Sequence, residues 1–387
     1  MTNIDKTKEE WIIPLYKIYV DDEDVNLISK VIKRGSNWAL GPEIEEFELA
    51  LKNYVGVDYC ATLNSGTSAL HALFLAYGFG EGDEILVPSF SFISTANSVL
   101  FVNAKPKFID IEETTFGIDP QLILENISPK TKAVVPMDYG GLSCKIFEIN
   151  EITKYRNLTL IEDAAEALGS TVNGKKVGSN ADSSIFSFCG NKILTTGEGG
   201  AVVTNSKDIY EKIKLIRSHG RLDVTNYFNN PSQSQYIGLG YNWRMSSLTA
   251  TLGLSQLNKL DKIIKKRQEN ANYISSRLTK FKQIIVPNPP NGYEHIYQMY
   301  TIRLPNKQIR NGLQNYLLKK KIFSKVYFSP IHLTDFYKNK IDIRPNSLQV
   351  TEKIADSVLT LPLYPNMTSD EKNYLIESIS EFFAIKL

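Results

Sequence analysis

The amino-acid sequence predicts an α/β protein, in which a largely parallel sheet lies between helices and a smaller α+β domain follows. Short apolar segments alternate with stretches of helical periodicity over residues 59–204, and this alternation is typical of parallel strands joined by covering helices. The chain of 387 residues is longer than one hydrophobic core usually organises. We therefore expect a large domain over residues 1–255 and a smaller domain over residues 256–387.

Two helices are expected before the first strand. Residues 22–34 carry apolar side chains at the spacing of one helical face, and Gly35 ends that pattern. Pro42 begins a second helix with an acidic first turn, which we expect to run to about Tyr54. The loop around Trp38 between these helices is expected to cap the pair, with a ligand contact as the alternative.

The strands of the predicted sheet are short and apolar. They are expected at residues 59–63, 84–88, 107–110, 133–136, 158–162 and 201–204. In sheets of this kind ligands bind beyond the carboxyl ends of the strands. Residues that follow those ends are therefore the first candidates for a functional site.

One such candidate is the turn Asn64-Ser65-Gly66-Thr67-Ser68, which joins an apolar strand to a helical pattern. Backbone N–H groups and the positive end of a helix bind phosphate in this geometry. The turn is not a P-loop, because no Lys-Ser or Lys-Thr follows the glycine, and a single glycine does not make the dinucleotide fingerprint. An ordinary helix N-cap is the alternative interpretation.

The segment at residues 183–200 (SSIFSFCGNKILTTGEGG) places Lys192 between an apolar run and a glycine-rich turn. Desolvation lowers the pKa of an ammonium and makes the amine nucleophilic, which a Schiff-base lysine requires. A solvated surface lysine is the alternative. Asp163, at the end of another strand, would either cap the next helix or pair with a pyridine nitrogen and keep it protonated.

Composition argues against several classes of protein. The net charge is only +2, from 44 basic and 42 acidic residues, so nothing in the overall charge favours nucleic acid or an anionic membrane as a partner. No window approaches the ~18 consecutive apolar residues of a membrane span, and the first residues lack the apolar core of a signal peptide. The four histidines form no pair at metal-ligand spacing, so no metal is expected. Three cysteines at wide spacings, Cys60, Cys144 and Cys189, predict reduced thiols in a cytoplasm.

The second half of the chain has weaker signals. Residues 222–235 are polar and rich in asparagine and predict a mobile loop. A single long helix is expected over residues 247–278, with the domain boundary inside it, and a strand over residues 297–304. The loops at residues 328–332 and 361–365 are distinctive, although either could be purely structural.

Eight motifs occur in an order that resembles one known family. They are PLYKIYVDDED, GPEIEEFE, NSGTSAL, VPSFSFISTAN, IEDAAEALGS, FSFCGNKILTTGEGGAVVTN, GYNWRM and LPLYPNMT, spread over about residues 14–368. On these motifs the chain resembles the DegT/DnrJ/StrS family of fold-type-I, pyridoxal-phosphate-dependent sugar-nucleotide aminotransferases. The resemblance implies a large domain with a mostly parallel, seven-stranded type of sheet between helices and a smaller C-terminal α+β domain.

The resemblance also implies roles for residues at matching positions. Lys192 would bind the cofactor as a Schiff base and move the proton during transamination. Asp163 would pair with the ring nitrogen, Glu166 would lie near the phenolic oxygen of the ring, and Phe92 would stack on the ring face. Further residues would bind the phosphate group: Gly66, Thr67 and Ser187, with Asn242 reaching the cofactor of the neighbouring subunit. The enzyme would then be a homodimer with shared active sites.

The activity implied is a ping-pong transamination. Glutamate would leave its nitrogen on the cofactor as pyridoxamine 5′-phosphate, and a nucleotide-linked keto-deoxysugar would receive it. The sequences of two motifs, EDAAEALG and GNKILTTGEGG, are most similar to those of perosamine-type enzymes, which aminate C4 of GDP-4-keto-6-deoxymannose. The alternatives are a dTDP- or UDP-linked 3- or 4-keto sugar, a cofactor-dependent sugar dehydratase, and a non-catalytic regulator or binding protein that kept the fold. A dehydratase relative has histidine in place of the lysine, so Lys192 argues against that activity.

Two positions depart from the pattern of many relatives. Cys189 stands where an aromatic residue is common after Phe-Ser-Phe, and Asp138 stands where a histidine is common before the Tyr-Gly turn. Both positions lie close to the residues expected to carry the reaction, although neither is expected to take part in it.

Overall fold

The computed structural model describes residues 11–222, 235–340 and 347–385. Most of the loop predicted at residues 222–235 lies outside the described residues. No helix within the described ranges is long and apolar enough to cross a membrane. The same ranges contain no group of three or more histidine, cysteine and acidic side chains that could hold a metal ion.

Two helices precede the sheet, as predicted: α1 (Asp22–Arg34) and α2 (Pro42–Val55). Each ends at a glycine in the left-handed conformation, Gly35 with φ 70° and Gly56 with φ 85°. Glycine adopts positive φ without the steric penalty that a Cβ atom would bring. Trp38 lies between the two helices and donates its indole N–H to the carbonyl of Val31 at 3.0 Å, which supports the predicted capping role.

The six strands predicted in the first 204 residues lie within two residues of their predicted positions, and three further strands were not predicted. In chain order the strands are β1 (Tyr59–Leu63), β2 (Glu84–Pro88), β3 (Lys105–Ile109), β4 (Thr131–Val134), β5 (Thr159–Asp163), β6 (Thr171–Val172), β7 (Lys175–Lys176), β8 (Ser183–Ser187) and β9 (Gly200–Thr204), of which β6, β7 and β8 are the three that were not predicted. Within the described chain, seven of them form one sheet in the order β1-β9-β8-β5-β4-β2-β3. β9 is antiparallel to both neighbours, and the pairs from β8 to β3 are parallel. The predicted mostly parallel sheet is confirmed.

Helices cover both faces of this sheet. The covering helices that follow the strands are α3 (Gly66–Tyr77), α4 (Ser94–Phe101), α5 (Pro120–Asn126), α6 (Ile146–Arg156) and α7 (Lys207–Ile216). Neighbouring residues of one strand enter different cores, because side chains alternate across a sheet. Ile185 packs with residues of α3 and α7, whereas the adjacent Phe186 packs with residues of α2. Burial on both faces explains why the strands read as continuous apolar runs.

The second half begins with two helices rather than the single long helix predicted. They are α8 (Ser247–Asn258) and α9 (Leu260–Leu278), and the residue between them, Lys259, has φ −112° and ψ 7°. The Lys259 ammonium contacts Asp21 and Asp24 at the start of α1. The prediction of a single helix was wrong here, because the helical pattern of the sequence continues through Lys259 although its backbone leaves the helical conformation.

The remaining elements build a second core. They are β10 (Tyr293–Glu294), β11 (Tyr300–Arg303), α10 (Lys307–Lys319), α11 (Asp335–Lys338), α12 (Gln349–Ser357), β12 (Val358–Leu361) and α13 (Ser369–Ile385). β11 and β12 pair in antiparallel fashion, and β10 joins β6 and β7 of the large sheet's domain. The apolar cluster of this half also contains Ile13, so the start of the chain packs against its end. We propose that the boundary between the large domain and the smaller C-terminal domain lies at residues 255–256.

The fold brings several chain segments to one edge of the large sheet. β5 and β8 are parallel neighbours and end there at Asp163 and Ser187. The first turn of α3 lies beside the same edge, because β9 pairs with both β1 and β8 and holds their ends together. The predicted site residues of the first 200 positions are therefore close in space.

Candidate active site

Asp163 ends β5 with its side chain 3% exposed. One carboxylate oxygen accepts a hydrogen bond from the Thr95 hydroxyl at 2.7 Å, and the other accepts from the backbone N–H of Ala165 at 3.3 Å. Burial raises the pKa of Asp163 above its ordinary value, although both hydrogen bonds and the nearby Lys192 charge oppose that rise. A carboxylate held in this way has a fixed direction, and no cation of the described chain is in direct contact with it.

Lys192 and Glu166 form an ion pair beside Asp163. The Lys192 Nζ lies 3.1 Å from Glu166 Oε1, and the two side chains are 13% and 5% exposed. The second Glu166 oxygen accepts the N–H of Gly140 at 3.0 Å. The predicted buried setting of Lys192 is therefore observed. Its amine is held by one carboxylate and lies in the field of another.

The turn at residues 64–68 is a capped helix start. The Ser65 hydroxyl accepts the N–H of Ser68 at 3.0 Å, so the N-cap interpretation is correct for this serine. The first N–H groups of a helix have no acceptor within the helix, and those of Gly66 and Thr67 belong to this set in α3. A Cβ atom on Gly66 would lie 3.0 Å from the Ser187 Cβ. The start of α3 thus lies against Ser187, and a side chain at position 66 would require Ser187 to move.

Phe92 is 56% exposed, whereas its neighbour Phe90 is fully buried. The centroid of the Phe92 ring lies 6.4 Å from that of the Phe328 ring. The backbone carbonyl of Phe92 accepts the N–H of Thr95 at 3.2 Å. The residue that holds Asp163 therefore lies one turn after Phe92. An aromatic ring exposed at this edge offers a face for another flat ring.

Asn242 is exposed and lies next to the same turn without entering the cluster. Its neighbour Trp243 accepts the backbone N–H of Asn64 at 2.8 Å, and residue 242 itself bridges to Ser218. Within the described part of one chain, no hydrogen bond joins Asn242 to Asp163 or Lys192.

Comparison with known proteins agrees with this geometry. The sequence profile of the DegT/DnrJ/EryC1/StrS aminotransferase family matches residues 19–380. The chain belongs to this family. It is therefore an aminotransferase dependent on pyridoxal phosphate, and its fold-type-I architecture is confirmed by solved relatives.

Relatives in this aminotransferase family cover almost the whole chain. The GDP-perosamine synthase of Escherichia coli O157:H7 is 33% identical over 97% of this chain and 99% of its own. The UDP-4-amino-4,6-dideoxy-N-acetyl-beta-L-altrosamine transaminase of Campylobacter jejuni strain 81-176 is 35% identical, over 93% of this chain and 94% of its own. The structure of Helicobacter pylori PseC, an aminotransferase involved in the biosynthesis of pseudoaminic acid, has a TM-score of 0.91 at 29% identity and covers 96% of this chain and 99% of that one.

Three residues that support the aminotransferase site were not predicted from the sequence. Thr95 holds Asp163, the Gly140 N–H holds Glu166, and the Gln298 amide donates to the carbonyl of Asn191 at 2.7 Å. Thr95 and Gly140 lie within motifs that the sequence did show, so a search for hydrogen-bonding partners near those motifs could have found them. Gln298 is 107 residues away from Asn191, and nothing in the local sequence connects the two.

The loop predicted at residues 328–332 forms a wall of the site and a tie between distant segments. The carbonyl of Tyr327 accepts the Tyr139 hydroxyl at 2.6 Å. The His332 Nδ1 lies 2.6 Å from the Ser89 hydroxyl, and its Nε2 lies 3.3 Å from Glu352. Serine, histidine and glutamate also occur in hydrolase triads, but there the serine contacts Nε2 and the acid contacts Nδ1, whereas here the ring nitrogens are exchanged and Ser89 is fully buried. No substrate reaches its hydroxyl, so the three side chains have a structural role.

Proposed function

We propose that this aminotransferase moves an amino group from glutamate to a nucleotide-linked keto-deoxysugar, with pyridoxal 5′-phosphate bound at Lys192. The observation that carries the proposal is the pair of Lys192 and Glu166 beside the buried carboxylate of Asp163, at the sheet edge where α3 begins. Transamination requires an amine nucleophile, a group that carries protons and a charge that tunes the cofactor ring. Lys192 and Asp163 supply these from the chain itself.

The residues of the site fit the chemical groups of this cofactor. Pyridoxal phosphate supplies an electron sink when its ring nitrogen is protonated. Asp163 is a buried carboxylate that no cation of the described chain contacts, and burial of such a charge is costly unless it is paired. A protonated ring nitrogen beside Asp163 would provide the missing charge. Thr95 would keep the Asp163 carboxylate directed toward the ring.

The phosphate group would bind at the start of α3. Gly66 and Thr67 present backbone N–H groups there, and Thr67 and Ser187 add hydroxyls. An anion at a helix N-terminus is stabilised by the helix dipole as well as by hydrogen bonds. Phe92 would cover one ring face, and Glu166 would face the phenolic oxygen while it holds the Lys192 amine.

Lys192 would perform two steps in turn. Its amine would first bind the cofactor covalently, and after an amino donor displaces it, the free amine would move a proton between the substrate carbon and the cofactor. Glu166 would restrict where the amine can lie during that transfer, since Gly140 fixes the second Glu166 oxygen.

The sugar is proposed to be GDP-4-keto-6-deoxymannose, aminated at C4. Relatives named GDP-perosamine synthase, at 33%, 34% and 31% identity, support this choice. A relative named for a UDP-linked amino sugar, at 35% identity, keeps a dTDP- or UDP-linked keto sugar as the alternative. We further propose a cytoplasmic homodimer in which Asn242 completes the phosphate site of the partner, because Asn242 is exposed beside its own phosphate turn.

A spectrum and a substrate screen test the proposal. The purified protein should absorb visible light from the covalently bound cofactor and lose that absorbance when glutamate is added. Lys192→Ala should lack both properties, whereas the exposed Lys105→Ala should keep them. GDP-, dTDP- and UDP-linked keto sugars with glutamate would then identify the substrate by product mass. Unchanged absorbance in Lys192→Ala, or a sugar product without added nitrogen, would contradict the proposal.

A further inference from the structure

Two acidic side chains, Asp138 and Glu162, are completely buried next to the site, on the other face of β5 from Asp163. Both are 0% exposed. The backbone N–H of Asp138 donates to the carbonyl of Asp163 at 3.0 Å, and Glu162 directly precedes Asp163 in the strand. The two carboxyl groups lie within hydrogen-bonding reach of each other.

Each of the two carboxyl groups has one oxygen with a donor and one without, among the residues that the structure describes. Asp138 Oδ1 accepts the backbone N–H of Cys144 at 2.8 Å. Glu162 Oε2 accepts the N–H of Gly178 at 2.8 Å and the hydroxyl of Ser184 at 3.0 Å. The remaining oxygens, Asp138 Oδ2 and Glu162 Oε1, have no hydrogen-bond partner within the described ranges.

Two interacting carboxyl groups that are completely buried are not expected to be both ionised with one oxygen each left unpaired. Buried polar atoms are almost always hydrogen-bonded, and like charges at this range disfavour double ionisation. A carboxyl group that keeps its proton becomes a donor, and the neighbouring carboxylate then accepts. One proton between the facing oxygens satisfies both atoms and leaves a single negative charge.

The described surroundings offer no cation that would replace this proton. The titratable groups that act on Asp138 or are acted on by it are Glu162, the Cys144 thiol and Tyr293. The nearby cation Lys145 lies 3.8 Å from Glu112, and no ion pair with Asp138 or Glu162 is formed within the described residues. Burial, followed by the charge of Glu162, raises the pKa of Asp138 well above its ordinary value. The Cys144 thiol also faces Asp138 but is a weak donor, so it does not substitute for a carboxylic acid.

We infer that Asp138 and Glu162 share one proton in the native protein and that this acid pair anchors the turn at residues 138–144, from which Gly140 holds Glu166. The turn closes through Asp138 Oδ1 and Cys144, and it contains two glycines with positive φ, Gly140 at 64° and Gly141 at 99°. A turn of this kind keeps its shape only while its ends are fixed. Asp138 is thus a positioning residue for the Glu166–Lys192 pair.

The pair makes stability depend on pH in a defined direction. A carboxyl group in the unfolded chain loses its proton near pH 4, whereas the native pair keeps one proton to a higher pH. The native state therefore binds more protons than the unfolded state above about pH 4. The pair's contribution to stability is full below the unfolded pKa and is lost as pH rises through the native pKa. Over that window the unfolding equilibrium constant rises about tenfold per pH unit on account of this proton.

Single amide substitutions test the shared proton. Asp138→Asn and Glu162→Gln each place an NH₂ group where the proton lies and keep the other oxygen as an acceptor. The unfolding equilibrium constant is measured in urea at fixed protomer concentration. Its ratio, wild type to either variant, should rise with pH by up to about tenfold per pH unit above pH 5. Cys144→Ala should keep the wild-type pH dependence. Parallel curves for wild type and both amide variants would overturn the inference.

The double amide variant gives an independent result. The amide introduced by Asp138→Asn needs its oxygen for the Cys144 N–H, and the amide introduced by Glu162→Gln needs its oxygen for the Gly178 N–H. Two NH₂ groups would then face each other without an acceptor. The double variant should unfold more readily than the product of the two single effects predicts, by about fivefold or more. Additive effects would overturn the inference, as would failure of both single amide variants to fold, since each supplies the missing donor at unchanged size.

Amide hydrogen exchange tests the positioning role. Peptides that cover residues 138–144 should exchange at the wild-type rate in Asp138→Asn, whereas Asp138→Ala should exchange at least about tenfold faster because the turn loses its anchor. The comparison is made in the holoenzyme at pH 7. Equal protection in the alanine variant would show that the acid pair does not hold the turn.

Discussion

Replacing Thr95 by valine removes the hydroxyl that holds the buried Asp163 carboxylate and keeps the size of the side chain. Thr95 donates to Asp163 Oδ2 at 2.7 Å and therefore accepts from the Ser91 hydroxyl, which is also 2.7 Å away. A hydrogen bond to a charged group contributes about 1.5–3 kcal/mol and one between neutral groups about 0.5–1.5 kcal/mol. The variant should lose about 2–4.5 kcal/mol of unfolding free energy.

Two further variants separate these contributions. Thr95→Ser keeps the hydroxyl and should remain within about 1 kcal/mol of wild type. Ser91→Ala removes only the neutral hydrogen bond and should cost about 0.5–1.5 kcal/mol. Urea unfolding at fixed protomer concentration and pH 7 measures all three. The binding constant of pyridoxal phosphate should weaken in Thr95→Val more than in Ser91→Ala, because only the former frees the Asp163 carboxylate.

The result that would refute this reasoning is equal stability of Thr95→Val and Thr95→Ser. It would mean that the Asp163 carboxylate finds another donor or carries its own proton at pH 7. Burial already raises the Asp163 pKa, and loss of the Thr95 hydrogen bond would raise it further. Thr95→Val should therefore lose stability more steeply than wild type as pH rises through the native pKa of Asp163.

Three other outcomes follow from the same structure. Gly66→Ala should weaken phosphate and cofactor binding, measured by titration, at least about tenfold, because its Cβ would lie 3.0 Å from the Ser187 Cβ. Burial lowers the pKa of His295 to about 3, so the native protein loses stability as pH falls from about 6.5 to about 4. His295→Asn should reduce that loss, and acid unfolding should show up to one proton fewer taken up on unfolding than in wild type. Gln298→Leu should cost about 0.5–1.5 kcal/mol in urea unfolding and loosen the Asn191 backbone, seen as faster amide exchange near Lys192.

Local sequence patterns were sufficient to predict most strands and helices of the large domain. Strands such as β2 and β5 are buried on both faces, so their central residues are apolar and stand out from the amphipathic helices around them. Asp163 and Lys192 were predicted because a charge in an apolar segment is rare and has a limited number of explanations. The family resemblance added roles for Phe92, Glu166 and Ser187, which local sequence alone could not assign.

The supporting contacts could not be predicted in the same way. Thr95 looks like any threonine in the first turn of a helix, and only the placement of α4 beside β5 brings its hydroxyl to Asp163. At the break between α8 and α9, the Lys259 ammonium contacts Asp21 and Asp24, more than 230 residues earlier in the chain. Such contacts require the tertiary arrangement, since each pairs groups whose own segments carry no sign of the partner.

The two acids at the end of β5 show how one strand serves both structure and chemistry. Side chains alternate across a strand, so Glu162 and Asp163 enter opposite faces although they are adjacent in sequence. Glu162 shares a proton with Asp138 and fixes a turn, whereas Asp163 accepts from the Thr95 hydroxyl and lies in the field of the Lys192 charge. Because the Asp138 N–H donates to the Asp163 carbonyl, a change in the acid pair reaches the site through the backbone, with the Asp163 side chain itself unaltered. The protonation state of the Asp138–Glu162 pair should therefore change the positions of backbone groups in the site, while the residues of the site remain the same.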